Sequence, residues 1–223
     1  LTYVALTQCV ELEKLWYENY NDDLPSGYVE NLSNLSKLRE LSISYLKGAQ
    51  TGNLHKIFMN KSLPHLSKLK IQCCENLDPQ TLEKVLKNCS HLKSFEIADS
   101  DLETGLEALG GCSELEELTI ECCSLKDETM KHVGSSCHKI KSLDLSFCQS
   151  LTEKAVEYIC SGCSQLECIN LTEMRELTDD VFESICKCKK LKSLTMAWLP
   201  LITGSSFHLT SEHLVHLTEF NIC

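Results

Sequence analysis

One short pattern of residues recurs along almost the whole chain and constrains its fold more than any other feature. Residues 112–123 read CSELEELTIECC, and closely similar segments follow as CHKIKSLDLSFC at 137–148 and CSQLECINLTEM at 163–174. The shared pattern is C-x-x-L-x-x-L-x-L-x-x-C. Its first position falls, at intervals of 23 to 28 residues, at Cys9, Leu35, Leu63, Cys89, Cys112, Cys137, Cys163, Cys188 and Leu214. A period of this length is typical of proteins built from stacked structural repeats.

Each repeat reads as a short strand followed by a helix. Leu143 and Leu145 alternate with polar residues, as in a strand with one buried face. Further on, Thr152 is positioned to cap a helix in which Val156 and Ile159 share one face. Because a single unit cannot bury both its strand and its helix, neighbouring units must stack. The sequence therefore predicts a curved α/β solenoid with parallel strands on the concave face and helices on the convex face.

Size and charge limit the classes of protein to which the chain can belong. Its 223 residues predict a single domain over residues 1–223, with about eight repeats of about 26 residues. The net charge of −11 disfavours nucleic acid and anionic membrane surfaces as partners. No apolar run approaches the roughly 18 residues of a membrane-spanning helix. Residues 1–9 resemble the helix of an earlier repeat and the chain stops within a strand pattern, so we expect truncation at both ends.

The 15 cysteines are explained mainly by the repeat. Leucine replaces cysteine at Leu35, Leu63 and Leu214, which indicates a packing role rather than a disulfide or metal-binding role. Nine cysteines occupy two repeat positions: Cys9, Cys89, Cys112, Cys137, Cys163 and Cys188 at the first, and Cys74, Cys123 and Cys148 in the turn after the strand. Buried, replaceable cysteines favour a reducing compartment, so we expect a cytoplasmic or nuclear protein.

Metal binding, catalysis and glycosylation are the alternatives to a purely structural role that the sequence offers. Four cysteines in adjacent repeats form the sharpest metal-site hypothesis: Cys160, Cys163, Cys186 and Cys188. Their packing roles make them more consistent with the repeat core, so we predict neither a metal nor a cofactor. No catalytic triad order or phosphate-binding glycine loop occurs, so we predict no enzymatic activity. Glycosylation sequons suit a more distant alternative, an extracellular receptor; they begin at Asn31, Asn34, Asn60, Asn88 and Asn170.

The C-x-x-L-x-x-L-x-L-x-x-C unit, followed by L-T-[DE] and a helix, resembles the cysteine-containing leucine-rich repeat of F-box/leucine-rich-repeat proteins. The resemblance covers nearly the whole chain and is strongest over residues 112–200. It implies a leucine-rich-repeat horseshoe that selects a protein substrate for a Skp–cullin–F-box ubiquitin ligase, in which partner subunits transfer the ubiquitin. This chain contains no F-box pattern, so a Skp adaptor and a cullin are expected only if an F-box lies upstream. The alternative is a non-catalytic intracellular scaffold or regulator without an F-box.

Strand alternation predicts which side chains line the concave face, because those flanking the buried L-x-L pair point away from the core. Its middle is acidic and suits a partner segment that carries Lys or Arg, whereas Lys68 and Lys70 form a small basic patch. Aromatic residues supply possible anchors for a protein interface. The predicted binding residues are Trp16, Lys68, Lys70, Glu96, Glu117, Glu121, Asp144, Phe147, Asn170 and Trp198. The alternative is that these polar side chains only keep the surface soluble.

Overall fold

The computed structural model describes residues 9–18, 35–46, 63–100 and 102–222. The described residues form nine strands, each parallel to the next, in one sheet whose strand order follows the chain. They are β1 (Lys14–Glu18), β2 (Glu40–Ser44), β3 (Lys68–Gln72), β4 (Ser94–Ala98), β5 (Glu117–Glu121), β6 (Ser142–Asp144), β7 (Cys168–Asn170), β8 (Ser193–Thr195) and β9 (Glu219–Asn221). The predicted α/β leucine-rich-repeat solenoid is confirmed. The sequons at Asn31, Asn34 and Asn60 and the helix expected before Cys9 lie outside the described residues.

Helices cover the other side of the sheet and follow the strands in most repeats. They are α1 (Pro79–Asn88), a 3₁₀ helix (Glu107–Gly111), α2 (Asp127–Ser136), α3 (Glu153–Gly162), α4 (Val181–Ile185) and α5 (Phe207–His213). The predicted cap of α3 is confirmed, since the Thr152 side chain accepts a hydrogen bond from the Lys154 N–H. The 3₁₀ helix falls in the shortest repeat interval, where its rise of about 2.0 Å per residue spans the convex side with fewer residues than an α-helix needs.

The core lies between the sheet and the helices and contains the predicted leucine and cysteine positions. The strand pair Leu143 and Leu145 is at most 3% exposed. Of the nine cysteines assigned to the repeat, eight are buried and Cys9 is half-buried. None of them forms a disulfide with another described cysteine. The packing role predicted for these cysteines therefore agrees with their placement.

The first-position cysteines also donate hydrogen bonds, which the sequence pattern did not reveal. The Sγ atoms of Cys137 and Cys163 lie 3.4 and 3.3 Å from the carbonyl oxygens of Cys112 and Cys137 respectively. Each acceptor residue ends the helix of the preceding repeat, where backbone carbonyls have no partner within the helix. A thiol is small and apolar enough for the core and is also a weak donor. Leucine at the same position supplies only the packing.

The residue that follows the strand and precedes the turn adopts a left-handed backbone conformation in seven repeats. We call this row the left-handed rim; its φ angles lie between 49° and 63°, and its members are Tyr45, Cys73, Asp99, Cys122, Phe147, Glu173 and Trp198. The conformation lets the backbone N–H bond to the next repeat, as from Phe147 to the Thr172 carbonyl at 2.8 Å. None of the seven is glycine, so in each residue the contact of Cβ with the backbone destabilises this conformation by about 1 kcal/mol.

This strain predicts an unusual order of stability at Cys122, which is exposed and has a φ of 55°. We expect Cys122→Gly to be more stable than Cys122→Ala by about 0.5–1 kcal/mol in urea unfolding, because glycine has no Cβ to clash in this conformation. The matched control is the same pair of substitutions at Ser142 in β6. There glycine should be the less stable variant, and equal rankings at the two positions would show that the rim is unstrained.

Candidate protein-binding surface

The strand register aligns one polar side chain from each repeat along the middle of the concave face. The aligned residues are Trp16, Ser42, Lys70, Glu96, Thr119, Asp144, Asn170, Thr195 and Asn221. Strand alternation therefore identified this row correctly, because each member lies between the two apolar residues of its L-x-L pair. That these side chains bind a protein stays a prediction.

The three predicted aromatic anchors lie in two different places. Trp16 is 65% exposed in β1 and lines a groove of about 260 Å³ together with Lys68, Lys70, Glu96 and Glu117. Phe147 and Trp198 lie on the left-handed rim, where they are 43% and 71% exposed. Trp198 lines a second groove of about 420 Å³, whose floor includes Pro200 and Ile222. The structure therefore does not gather the three aromatic residues into one anchor site.

One of the two lysines in the predicted basic patch, Lys70, forms an ion pair with a carboxylate on the adjacent strand. Lys70 Nζ lies 2.8 Å from Glu96 Oε1, and the Gln72 side-chain amide donates to the same oxygen at 2.8 Å. Glu96 is thereby compensated as well, so it adds less to the acidic centre than its sequence position suggests. Lys68 is exposed and has no ion pair within the part of the chain that the structure describes.

Asp144 and Asn170 are held by structural hydrogen bonds. Asn170 Nδ2 donates to Asp144 Oδ2 at 2.8 Å, while Asp144 Oδ1 accepts the Ser146 N–H at 2.9 Å. Asn170 Oδ1 accepts the Thr172 N–H in the same way at 3.1 Å. Side chains that bond to the backbone two residues ahead stabilise turns. Both residues therefore shape the turns after β6 and β7, and each leaves one face half-exposed to solvent.

Three carboxylates lie close together where β4, β5 and β6 end, and we call Asp99, Glu121 and Asp144 the carboxylate cluster. Partial burial raises the pKa of Glu121, and the negative charges of Asp144, Asp99 and Glu96 raise it further, against a smaller opposite effect of Lys70. Within residues 9–18, 35–46, 63–100 and 102–222, no Lys, Arg or His forms an ion pair with any member. Asp99 could not be predicted from strand alternation, because it lies on the left-handed rim, beyond the end of β4.

Carboxylates at the opposite end of the strands are neutralised. Glu114, Glu116 and Glu167 lie 2.6–2.7 Å from the amino groups of Lys139, Lys141 and Lys192, one repeat further along the chain. In each case the hydrogen bond from the lysine lowers the pKa of the glutamate. The repeats therefore place matching cations one repeat away from these carboxylates, whereas no described residue supplies one to the carboxylate cluster.

Of the four cysteines in the metal-site hypothesis, two donate hydrogen bonds to backbone carbonyls and two bond to each other. Cys186 Sγ donates to the Leu209 carbonyl at 3.4 Å, Cys163 Sγ donates to the Cys137 carbonyl, and Cys160 bonds with Cys188. No group of three or more His, Cys, Asp or Glu side chains is placed to hold a metal ion among the residues described. The arrangement thus offers no support for a four-thiolate site.

Burial also predicts which thiols react with an alkylating agent. It raises the pKa of Cys137 and Cys163 to about 12 and that of Cys112 to about 11, so these thiols are protonated near neutral pH. At pH 8 we expect iodoacetamide to leave them unmodified in the folded protein and to label the exposed Cys168. Cys122 should react more slowly than Cys168, because burial and the neighbouring Asp99 raise its pKa.

Mass spectrometry after timed labelling, with and without urea, measures this order. Urea should abolish the difference between the buried and the exposed cysteines. Labelling of Cys137 in the folded protein as fast as labelling of Cys168 would contradict the predicted protection.

Stacked strand-and-helix units with leucine and cysteine at fixed positions about every 26 residues define a leucine-rich-repeat solenoid, and this chain has that fold. No family model matches it. It is 30% identical over 96 residues to F-box/LRR-repeat protein 4 of Bos taurus, a match that covers 41% of this chain and 15% of that protein. The chain therefore spans a small part of the length of this curated relative.

Three solved structures match this chain at low sequence identity, one of them with a TM-score above 0.5. The Toll–Spätzle complex of Drosophila matches with a TM-score of 0.52 and 12% identity over 100% of this chain and 31% of the other. The yeast Rad7–Elc1 complex has a TM-score of 0.49 and 15% identity, with coverage of 97% and 71%. The leucine-rich-repeat domain of the type III effector XopL has a TM-score of 0.49 and 13% identity, with coverage of 98% and 79%. Separately, the helices in the described ranges are too short or too polar to span a bilayer.

Proposed function

We propose that these repeats are the substrate-binding part of a Skp–cullin–F-box ubiquitin ligase in the cytoplasm or nucleus. In this proposal the repeats bind a protein and perform no chemistry, and partner subunits transfer the ubiquitin. The observation that carries the proposal is the concave face itself, where nine parallel strands align polar side chains in register. The likeness to F-box/LRR-repeat protein 4 over 96 residues supports the assignment to a ligase.

The concave face has the characteristics of a protein-binding surface. Exposed aromatic side chains are enriched among the residues that dominate protein interfaces, and neighbouring charges contribute to the choice of partner. Trp16 and Phe147 are such exposed aromatic side chains, and Glu121 is a charge without an ion-pair partner among the described residues. The proposed contact residues are Trp16, Lys68, Lys70, Glu96, Glu117, Glu121, Asp144, Phe147, Asn170 and Trp198.

Affinity purification of the full-length natural protein from its own cells tests the assignment to a ligase. We expect mass spectrometry to recover a Skp adaptor and a cullin in amounts comparable to the protein itself. Recovery of other proteins without these two would overturn the ligase assignment and favour the alternative, a leucine-rich-repeat scaffold or regulator without an F-box.

Photo-crosslinking tests the assignment of the binding face. A photoreactive amino acid in place of Thr195 lies in the central row of the concave face, whereas the same amino acid in place of the exposed Lys154 lies on α3. We expect the Thr195 position to capture proteins that accumulate when the proteasome is inhibited, and the Lys154 position to capture none of them. The reverse result would place the binding surface on the convex side.

A further inference from the structure

We infer that the concave sheet face at the ends of β4, β5 and β6, with Phe147 at its border, binds an extended segment of a partner protein in which Lys or Arg lies next to an apolar residue. This inference rests on the proposed protein-binding role and specifies the chemistry of the partner. It shifts the acidic centre predicted from sequence toward the left-handed rim, because Glu96 is already compensated by Lys70.

Charge complementarity identifies the cationic part of the segment. Asp99 directly follows β4, Glu121 and Asp144 end the next two strands, and none of the three has an ion pair among the described residues. Lys70 lowers the pKa of Glu121 slightly, but its amino group is paired with Glu96 at 2.8 Å. Gathering uncompensated carboxylates costs folding free energy, and a partner's ammonium or guanidinium groups would remove that cost on binding. The net charge of −11 attracts a basic partner from a distance as well.

The spacing of the strands suits an extended segment. Parallel strands lie about 4.8 Å apart, and Asp144 is in register with Glu96, three residues before Asp99, so the backbones of Asp99 and Asp144 are separated by roughly 14 Å. In an extended chain, side chains on the same face recur about every 6.7 Å. Two basic residues separated by one position can therefore reach across the carboxylate cluster with their flexible side chains.

Phe147 supplies the apolar part of the surface. Its ring is 43% exposed, although its backbone has a φ of 61°, a conformation in which a bulky side chain is unusual. The neighbouring Cys148 fills the core position of this turn and is fully buried, so folding makes little use of the Phe147 ring. An exposed ring beside uncompensated carboxylates can contact both an apolar residue and the methylene stem of a Lys or Arg side chain.

Selection from a phage-displayed library of random 12-residue peptides against the full chain provides the probe. We expect enriched sequences to contain two Lys or Arg residues separated by one position, next to an aliphatic or aromatic residue. The affinity of a selected peptide is then measured by fluorescence anisotropy. Glu121→Gln should weaken binding about tenfold, and Phe147→Gly about fivefold, because each removes one part of the surface.

Matched controls separate binding from folding. Phe147→Gly suits the left-handed backbone, and urea unfolding of this variant checks that it stays folded under the binding conditions. Glu114→Gln removes an equal charge at the other end of the strands and should change the affinity less than twofold. Raising NaCl from 50 to 500 mM should weaken binding of the selected peptide, and at both salt concentrations Phe147→Gly should still lower its affinity.

Each outcome bears on a defined proposal. Enriched peptides without basic residues, basic peptides that bind Glu121→Gln unchanged, or no enrichment at all would each overturn this inference. Neutral or acidic peptides that lose affinity after substitution of Trp16 or Lys70 would overturn it while supporting the concave face as a protein-binding surface. Basic peptides bound at Glu121, together with purification of the natural protein without a Skp adaptor, would support this inference and overturn the ligase assignment.

Discussion

Replacement of Gly162 by alanine is expected to destabilise the protein by about 3 kcal/mol, the upper part of the range for overpacked interiors. Gly162 ends α3 at its contact with α2, and a Cβ added there would lie 1.8 Å from the Gly134 carbonyl oxygen. A Cβ on Gly134 would in turn lie 2.3 Å from the Tyr158 carbonyl oxygen. Both obstacles are backbone atoms, so neither can move without separating the two helices.

Helix propensity alone predicts the opposite sign, since alanine is favoured over glycine by about 1 kcal/mol inside a helix. Urea unfolding followed by circular dichroism therefore distinguishes the two effects. The matched control is Gly111→Ala at the end of the 3₁₀ helix, where no atom lies within 4 Å of the added Cβ, and its stability should change by less than about 0.5 kcal/mol. A Gly162→Ala variant as stable as the control would show that α2 and α3 are packed less closely than described.

The second large effect is expected at Asp127, whose carboxylate joins two repeats. Asp127 Oδ1 accepts the Thr152 N–H at 2.9 Å, and Oδ2 accepts the Thr152 hydroxyl at 2.7 Å. The Glu153 carboxylate makes the same pair of bonds to Thr178 in the next repeat. We expect Asp127→Ala to cost about 2 kcal/mol, because hydrogen bonds to a charged group are strong and the half-buried Thr152 N–H would lose its partner.

Glu128→Ala is the matched control for Asp127→Ala. Glu128 lies in the same first turn of α2, so its carboxylate interacts with the same helix dipole, but it is exposed. Chemical denaturation should show a loss of less than about 0.5 kcal/mol for Glu128→Ala. Equal losses for the two variants would attribute the effect to the helix dipole and not to the contact between repeats.

Strand positions and the row of side chains on the concave face were predictable because both follow local rules. Leu143 and Leu145 alternate with polar neighbours, and a strand has to place such residues on opposite faces. Thr152 was likewise predictable as a cap, since its partner Lys154 lies two residues ahead. In each case the determining interaction is confined to one repeat, so the residues that specify it are adjacent in the sequence.

Contacts between repeats were not predictable in the same way. The bond from Thr152 to Asp127 and the ion pair of Lys70 with Glu96 join residues 25 and 26 positions apart. The bonds from cysteine thiols to carbonyl groups also cross from one repeat to the next. Their formation depends on strand spacing, on the rotation of one repeat against its neighbour and on side-chain reach, and the repeat pattern specifies none of these in detail.

The sequence by itself determined that this chain is a leucine-rich-repeat solenoid and which residues form the central row of its concave face, because a period of about 26 residues and strand alternation leave little freedom in either. Only the tertiary structure decided which charges on that face are compensated. Glu96 lies beside Lys70 on the adjacent strand, whereas Glu121 lies near Asp144 and Asp99, so that partial burial and these negative charges together raise the pKa of Glu121. The physical reason is that the direction of a side chain follows from its own backbone, but its electrostatic environment depends on which side chains the stacked repeats place beside it.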